Sequence, residues 1–163
     1  MVVDRILRLG RLLRPRHVLL VGAGEGGRGS AAIARDCCER LGYQGSLWSV
    51  SAASPAGDAR GDGNPEPIGL SQALARLPAT PEVAFVELEQ HAAVQAVREL
   101  AAAGVAATVC PGIGPRSLDE GVLGFDEVGD IGTSLAQMLR RAAGDMPVLG
   151  AGSCGLINFL DGV

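Results

Sequence analysis

A glycine-rich turn near the N-terminus is the segment of this sequence most suited to ligand chemistry. Gly22, Gly24 and Gly27 match the spacing G-x-G-x-x-G and directly follow the strand-like run 17–21. Glycines let the backbone approach a pyrophosphate, and a helix that starts after the turn presents free N–H groups to it. Arg28 could add a charge-assisted contact, whereas the carboxylate of Glu25 would repel a phosphate unless it points away. The turn predicts a phosphate-binding loop, with a tight turn that binds nothing as the alternative.

The residues after the second predicted strand bear on the kind of nucleotide. An NAD site would place an acidic residue about 20 positions after the glycine turn, but this strand ends at Val50-Ser51-Ala52. An NADP site stays open, because Ser51 or Arg60 could contact a 2′-phosphate. The chain has no lysine, so a P-loop kinase or ATPase is excluded.

The residue types used for metal binding and nucleophilic catalysis are few and scattered. The four cysteines (Cys37, Cys38, Cys110 and Cys154) show no C-x-x-C spacing, and we interpret them as reduced thiols in a cytoplasmic protein. The two histidines, His17 and His91, do not cluster with them, so no metal site is predicted. No nucleophile–base pair is evident. We therefore predict no catalytic residue in this chain.

Composition limits the classes of partner. The chain has 163 residues, 47% hydrophobic and 20% charged, with a net charge of −4, which argues against a nucleic-acid binder. No run approaches the roughly 18 apolar residues of a membrane span, and no signal peptide is visible. No membrane partner is expected, and a homo-oligomer stays open.

Hydrophobic periodicity predicts strands and helices in alternation. We expect one α/β domain over residues 1–163: a Rossmann-like three-layer α/β/α arrangement with a mainly parallel sheet of about five strands. An N-terminal helix within 1–15, with Ile6, Leu9 and Leu13 at helical spacing, should cover one edge, and 52–68 should be a flexible loop. The predicted strands are 17–21, 46–51, 83–88, 105–110 and 147–149, and the later helices are 30–41, 71–77, 92–103 and 131–143. In helix 30–41, Ile33, Cys37 and Leu41 repeat on one face. In such sheets ligands bind beyond the carboxyl ends of the strands.

Several short motifs occur in an order that resembles one known family. They are Arg14-Pro15-Arg16-His17-Val18 leading to Val21-Gly22-Ala23, Gly42-Tyr43-x-Gly45, Ser71 with Leu74 and Leu77-Pro78, Gly104-Val105, and Gly155-Leu156-Ile157-Asn158. Together they resemble the coenzyme A-binding domain of nucleoside-diphosphate-forming acyl-CoA synthetases, which is related to the succinyl-CoA ligase alpha subunit. The likeness covers nearly the whole chain.

This resemblance implies a ligand and a set of contact residues. Coenzyme A or an acyl-CoA would lie across the carboxyl ends of the strands. NADP, which the glycine turn leaves open, is the alternative ligand. Active members of the family also use an ATP-grasp domain and a phosphohistidine, which would lie outside this domain. Taken together with the glycine turn, the candidate ligand-binding residues are Gly22, Ala23, Gly24, Gly26, Gly27, Arg28, Ser51, Val86, Pro111, Gly112, Gly152 and Ser153.

Three ligand-facing motifs of the family are altered in this sequence. Its V-N-P, V-P and G-P-N are replaced by Val50-Ser51-Ala52, Val86-Glu87 and Gly150-Ala151-Gly152. Glu87 is the most telling change, because it puts a negative charge near the expected position of a polyphosphate. The leading prediction is therefore a coenzyme A-binding domain of an acid–CoA ligase. The alternatives are an interaction or regulatory domain that has lost its ligand, and an NADP-binding domain.

Overall fold

In a computed structural model, the protein is described over residues 2–22, 29–50, 69–111, 137–150 and Asn158. Within these ranges, strands and helices alternate after an N-terminal helix, as the periodicity predicts. The helices are α1 (Val2–Leu13), α2 (Ser30–Arg40), α3 (Leu70–Arg76) and α4 (Gln90–Ala102), and residues 137–143 are also helical. The strands are β1 (His17–Val21), β2 (Ser46–Val50), β3 (Val83–Val86), β4 (Ala107–Cys110) and β5 (Val148–Gly150).

The five strands form one sheet in the order β2-β1-β3-β4-β5, and every pairing between neighbours is parallel. This confirms the predicted sheet. Val21 is in register with Val50 on one side and with Val86 on the other, so three strands end at the same level. The chain extends the sheet in opposite directions from β1, which makes the gap between β1 and β3 the topological switch point.

Helices cover both faces of the sheet and give the three predicted layers. On one face, Val18 and Leu20 pack with Ala31 of α2, and Leu12 of α1 packs against the cluster around Val83 and Val109. The opposite face supports the larger core. Its buried members include Leu19, Val21, Ala84, Val86, Ala93, Val97, Leu100, Leu139 and Ala142, from strands β1 and β3, helix α4 and residues 137–143. The three inner strands, β1, β3 and β4, are mostly apolar because both of their faces are buried, whereas the outer strands β2 and β5 are only partly buried.

Two apolar stripes that we predicted from helical spacing lie at the surface. In α2 the spacing puts Ile33, Cys37 and Leu41 on one face, but Ile33 is 62% exposed and the buried residues are Ala31 and Cys38. In α1, Ile6, Leu9 and Leu13 are exposed, and Leu12 makes the contact with the sheet. Spacing identifies residues that share a face, but it does not show which face meets the sheet. In α2 that face carries small side chains such as Ala31.

Two motifs of the family resemblance have a structural role at the amino edge of the sheet. The buried carboxylate of Glu82 accepts hydrogen bonds from the backbone N–H of Arg16 (2.6 Å) and from its guanidinium (3.2 Å). The hydroxyl of Tyr43 donates to the carbonyl of Pro15 at 3.0 Å. A Cβ on Gly45 would lie 2.2 Å from that hydroxyl oxygen, so glycine is needed beside Tyr43. These motifs position β1 and β2.

Two of the cysteines lie in the core as free thiols. Cys38 and Cys110 are buried, and both are free. Burial raises the pKa of Cys110 to about 12. Burial is also the largest cause of the raised pKa of Cys38, with the neighbouring Cys37 adding to it. A thiol with a raised pKa is mostly protonated at neutral pH and reacts slowly. Cys154 lies outside the described residues.

Candidate functional site at the carboxyl edge of the sheet

Three of the predicted ligand-binding residues are described, and all three lie at the carboxyl edge of the sheet. Gly22 follows β1, Val86 ends β3 and Pro111 follows β4. The parallel register places Gly22 beside Glu87, the first residue after β3. The remaining candidates lie outside the described residues: Ala23, Gly24, Gly26, Gly27, Arg28, Ser51, Gly112, Gly152 and Ser153.

A glycine at position 22 predicts a close approach of the backbone to a neighbouring group. In the structure that neighbouring group is the chain's own backbone, at Glu87. Its φ is +86°, in the region that favours glycine, and its N–H donates to the carbonyl of Val50 at 3.0 Å. A Cβ at this position would lie 2.1 Å from the carbonyl oxygen of Glu87. Gly22 therefore allows β1 and the end of β3 to meet without a side chain between them.

Val86 and Pro111 differ in what they can offer to a ligand. The side chain of Val86 belongs to the main core and the residue is 1% exposed, so a ligand cannot reach that side chain from the edge. Pro111 is partly exposed directly after β4. Of the predicted contact residues in the described ranges, Gly22 and Pro111 thus remain at the surface of the edge.

The side-chain carboxylate of Glu87 caps the N-terminal end of helix α2. One carboxylate oxygen accepts a hydrogen bond from the backbone N–H of Ser30 (2.6 Å), and the other accepts one from Ala31 (2.8 Å). The backbone N–H of Glu87 donates to the carbonyl of Val21 at 2.9 Å. We predicted that this residue would bring a negative charge to the ligand region, and its charge lies at the terminus where a phosphate would be expected.

The other N–H groups at the start of α2 also have acceptors. Gly29, the N-cap residue, has no side chain to accept them, but its carbonyl accepts from Ala32 and Ile33, both at 3.1 Å. A Cβ on Gly29 would lie 2.5 Å and 2.7 Å from the two carboxylate oxygens of Glu87. Glycine at position 29 is thus what allows the carboxylate to lie this close to the helix.

Sequence reasoning singled out Glu87 but missed its partners. The N-cap side chains that accept hydrogen bonds from a helix are those of Ser, Thr, Asp and Asn, and the N-cap residue of α2 is Gly29, which has no side chain. That missing local cap is a signal that a distant side chain supplies the acceptor. The same device recurs at α3, where Glu99 accepts hydrogen bonds from the N–H (3.1 Å) and the hydroxyl (2.8 Å) of Ser71.

The remaining candidate chemistry is sparse. Within the ranges that the structure describes, no group of three His, Cys, Asp or Glu side chains could hold a metal ion. His17 stacks on Trp48 with ring centroids 5.3 Å apart, and its buried Nδ1 has no hydrogen-bond partner among the described residues. His91 is exposed near the start of α4. In the part of the chain that the structure describes, no helix is long and apolar enough to cross a membrane.

Solved structures that share this fold include two of the same protein. Both are of the dinucleotide forming acetyl-coenzyme A synthetase 1 of Candidatus Korarchaeum cryptofilum, one in the apo form and one in complex with phosphate and ADP. Each is 21% identical to this chain over 88% of its length, with a TM-score of 0.58. This chain spans only 28% and 27% of the chain in those two structures, respectively. No protein-family model matches the sequence, and no curated protein does.

Proposed function

We propose that this chain is a coenzyme A-binding domain that holds coenzyme A or an acyl-CoA at the carboxyl edge of its sheet. The observation that carries the proposal is the switch point between β1 and β3, where Gly22 leads into the glycine-rich segment. Open parallel sheets bind their ligands at such a point. Catalysis of acid–CoA ligation would then need an ATP-grasp domain and a phosphohistidine supplied by other domains or subunits.

Two further observations support coenzyme A as the ligand class. The motifs around Arg16 and Tyr43, which resemble those of nucleoside-diphosphate-forming acyl-CoA synthetases, make specific contacts at the amino edge. The structural neighbours are acetyl-CoA synthetases and are more than three times as long as this chain, since it covers 28% and 27% of them. Further domains in a complete ligase are compatible with that difference in length.

A second candidate is an interaction or regulatory domain that kept the fold and lost the ligand. Glu87 favours this hypothesis, because its carboxylate fills the helix terminus at the switch point. NADP is the weakest of the three candidates, since a dinucleotide of this kind places its pyrophosphate at that helix terminus.

Isothermal titration of the purified chain with coenzyme A, run beside NADP and ADP, tests the proposal. We expect coenzyme A to bind with micromolar affinity, about −8 kcal/mol, and the other two more weakly. Gly22→Ala should weaken this binding at least about tenfold, a loss of about 1.4 kcal/mol, because a Cβ there disturbs the end of β3.

Gly104→Ala is the matched control. Gly104 also has a positive φ (+82°), but open space surrounds its Cβ position and it lies before β4, at the opposite edge. This variant should bind coenzyme A like the wild type. If the folded chain gives no heat with any of the three ligands, the coenzyme A proposal is wrong and the second candidate takes its place.

A further inference from the structure

We infer that Glu87 is a specificity-determining residue that keeps phosphate groups away from the start of α2. This inference rests on the proposed function for the position of the ligand at the carboxyl edge. It adds how the ligand must lie: an uncharged part of the molecule, and not a phosphate, faces helix α2.

The first argument concerns hydrogen-bond donors. A phosphate at a helix terminus is held by backbone N–H groups that have no partner within the helix. In α2 the N–H groups of Ser30 and Ala31 donate to Glu87, and those of the next two residues donate to the carbonyl of Gly29. A phosphate could bind these donors only after displacing the Glu87 carboxylate.

The second argument concerns the anchoring of Glu87. Its backbone N–H is bonded to the carbonyl of Val21, and its own carbonyl lies against Gly22, with no room for a Cβ between them. A rotation of the side chain can therefore move the carboxylate off the helix, but it cannot move the residue away from the switch point. The displaced negative charge would stay close to an entering phosphate and repel it.

Together these contacts select among ligands by where their charges lie. The pyrophosphate of NADP binds at this helix terminus in sheets of this type, and Glu87 opposes that placement. Coenzyme A has a long, uncharged pantetheine arm, so it can pass Glu87 while its phosphates lie farther along the edge. Glu87 therefore favours coenzyme A over dinucleotides.

Removing the charge at position 87 tests the inference, with inorganic pyrophosphate and NADP as the titrated probes. We expect Glu87→Ala and Glu87→Gln to bind pyrophosphate at least about tenfold more tightly than the wild type. Glu87→Gln keeps the size of the side chain and one acceptor oxygen, so it preserves the fold if the alanine variant does not. Amide resonances of Ser30 and Ala31 should shift on titration of the variants and stay unchanged in the wild type.

Glu99→Gln is the matched control. It removes the same charge from another side chain that binds the start of a helix, at Ser71 of α3, so it changes the net charge equally. This variant should bind pyrophosphate no better than the wild type. If folded Glu87 variants also show no gain, or if Glu99→Gln gains as much as they do, Glu87 is a structural cap alone.

The two proposals fail in different measurements. If the wild type does not bind coenzyme A, the coenzyme A proposal is wrong, whatever the pyrophosphate titrations give. If the wild type and the Glu87 variants bind pyrophosphate with equal affinity, the inference about Glu87 is wrong, whether or not coenzyme A binds.

Discussion

Gly29 and Glu87 fit together at the start of helix α2. The glycine leaves no β-carbon in the space that the carboxylate fills, and a Cβ there would lie 2.5 Å from Oε2 of Glu87. The φ of Gly29 is −90°, a value that any residue can adopt. Glycine is therefore needed at this position because of the contact with Glu87, and not because of the backbone conformation. The two residues lie in different segments of the chain and form a single cap for α2.

Gly29→Ala should therefore cost stability through Glu87. We expect a loss of about 1 kcal/mol in the free energy of unfolding, the usual value of a helix cap, because the added methyl group displaces the carboxylate. In a Glu87→Ala background the same substitution should cost almost nothing. A double-mutant cycle by urea denaturation measures this coupling. Additive losses would show that the contact does not stabilise α2.

Gly22→Ala should be far more damaging than Gly104→Ala. Both substitutions put a side chain at positive φ, which costs roughly 1–2 kcal/mol, but only the first forces a Cβ against a backbone carbonyl, at 2.1 Å. We expect losses of about 3 kcal/mol or more at Gly22 and about 1 kcal/mol at Gly104, measured by thermal or urea unfolding. Equal losses would contradict the described contact between Gly22 and Glu87.

Glu82 should make stability depend on acidic pH. Burial alone would raise its pKa, but the hydrogen bonds from Arg16 and the charges of Arg16 and Arg11 outweigh burial and hold the pKa below 4.5. A lowered pKa means that the stabilisation is present above the unfolded-state pKa and is lost as the pH falls through the folded-state pKa. Glu82→Gln should lower the free energy of unfolding at pH 7 by about 1–3 kcal/mol.

The difference between wild type and Glu82→Gln should shrink in acid. Urea unfolding at a series of pH values from neutral to acidic checks this, with Glu99→Gln as the control for loss of one carboxylate. A constant difference across that range would contradict the stabilising role of ionised Glu82.

Tyr43 should make stability depend on alkaline pH in the opposite sense. Burial first, then the negative charges that Cys38 and Glu82 carry when ionised, raise its pKa to about 12. A raised pKa means that the stabilisation is complete below the ordinary value of 10 and is lost as the pH rises towards 12. Tyr43 is the single tyrosine, so phenolate absorbance follows its titration directly. Titration at the ordinary value would contradict its burial.

Tyr43→Phe isolates the hydrogen bond to Pro15. It should cost about 1 kcal/mol at neutral pH, because the carbonyl loses its donor while the ring stays in place. Urea denaturation at neutral pH measures this loss. Unchanged stability would show that water replaces the hydroxyl at no cost.

His17→Phe should stabilise the protein. The replacement keeps a ring stacked on Trp48 and removes the buried Nδ1 that has no hydrogen-bond partner. We expect a gain of about 1 kcal/mol, since an unsatisfied buried polar atom costs that much or more. His17→Ala, which also removes the stacking contact, should instead lose stability. Unfolding followed by circular dichroism compares the three proteins, and a less stable phenylalanine variant would show that Nδ1 is satisfied in solution.

The elements of the fold follow from local patterns in the sequence. The runs 17–21, 46–50 and 83–86 form strands within a residue or two of their predicted ends. In 17–21 and 83–86 the reason is a continuous apolar run between turns, which suits a strand buried on both faces. Gly22 was recognised as a special position for the same reason: it follows such a run directly, and glycine there allows a positive φ.

The packed faces and the candidate site depended on the tertiary structure. Helical spacing grouped Ile33 with Leu41, but which face of α2 is buried depends on how closely the sheet approaches, and the small Ala31 makes that contact. Glu87 lies 57 positions from Ser30, and the two meet only because β3 pairs with β1 in the sheet order. A contact of this separation leaves no periodic pattern in the chain. The charge of Glu87 was therefore visible in the sequence, whereas its place at the start of α2 was decided by strand order.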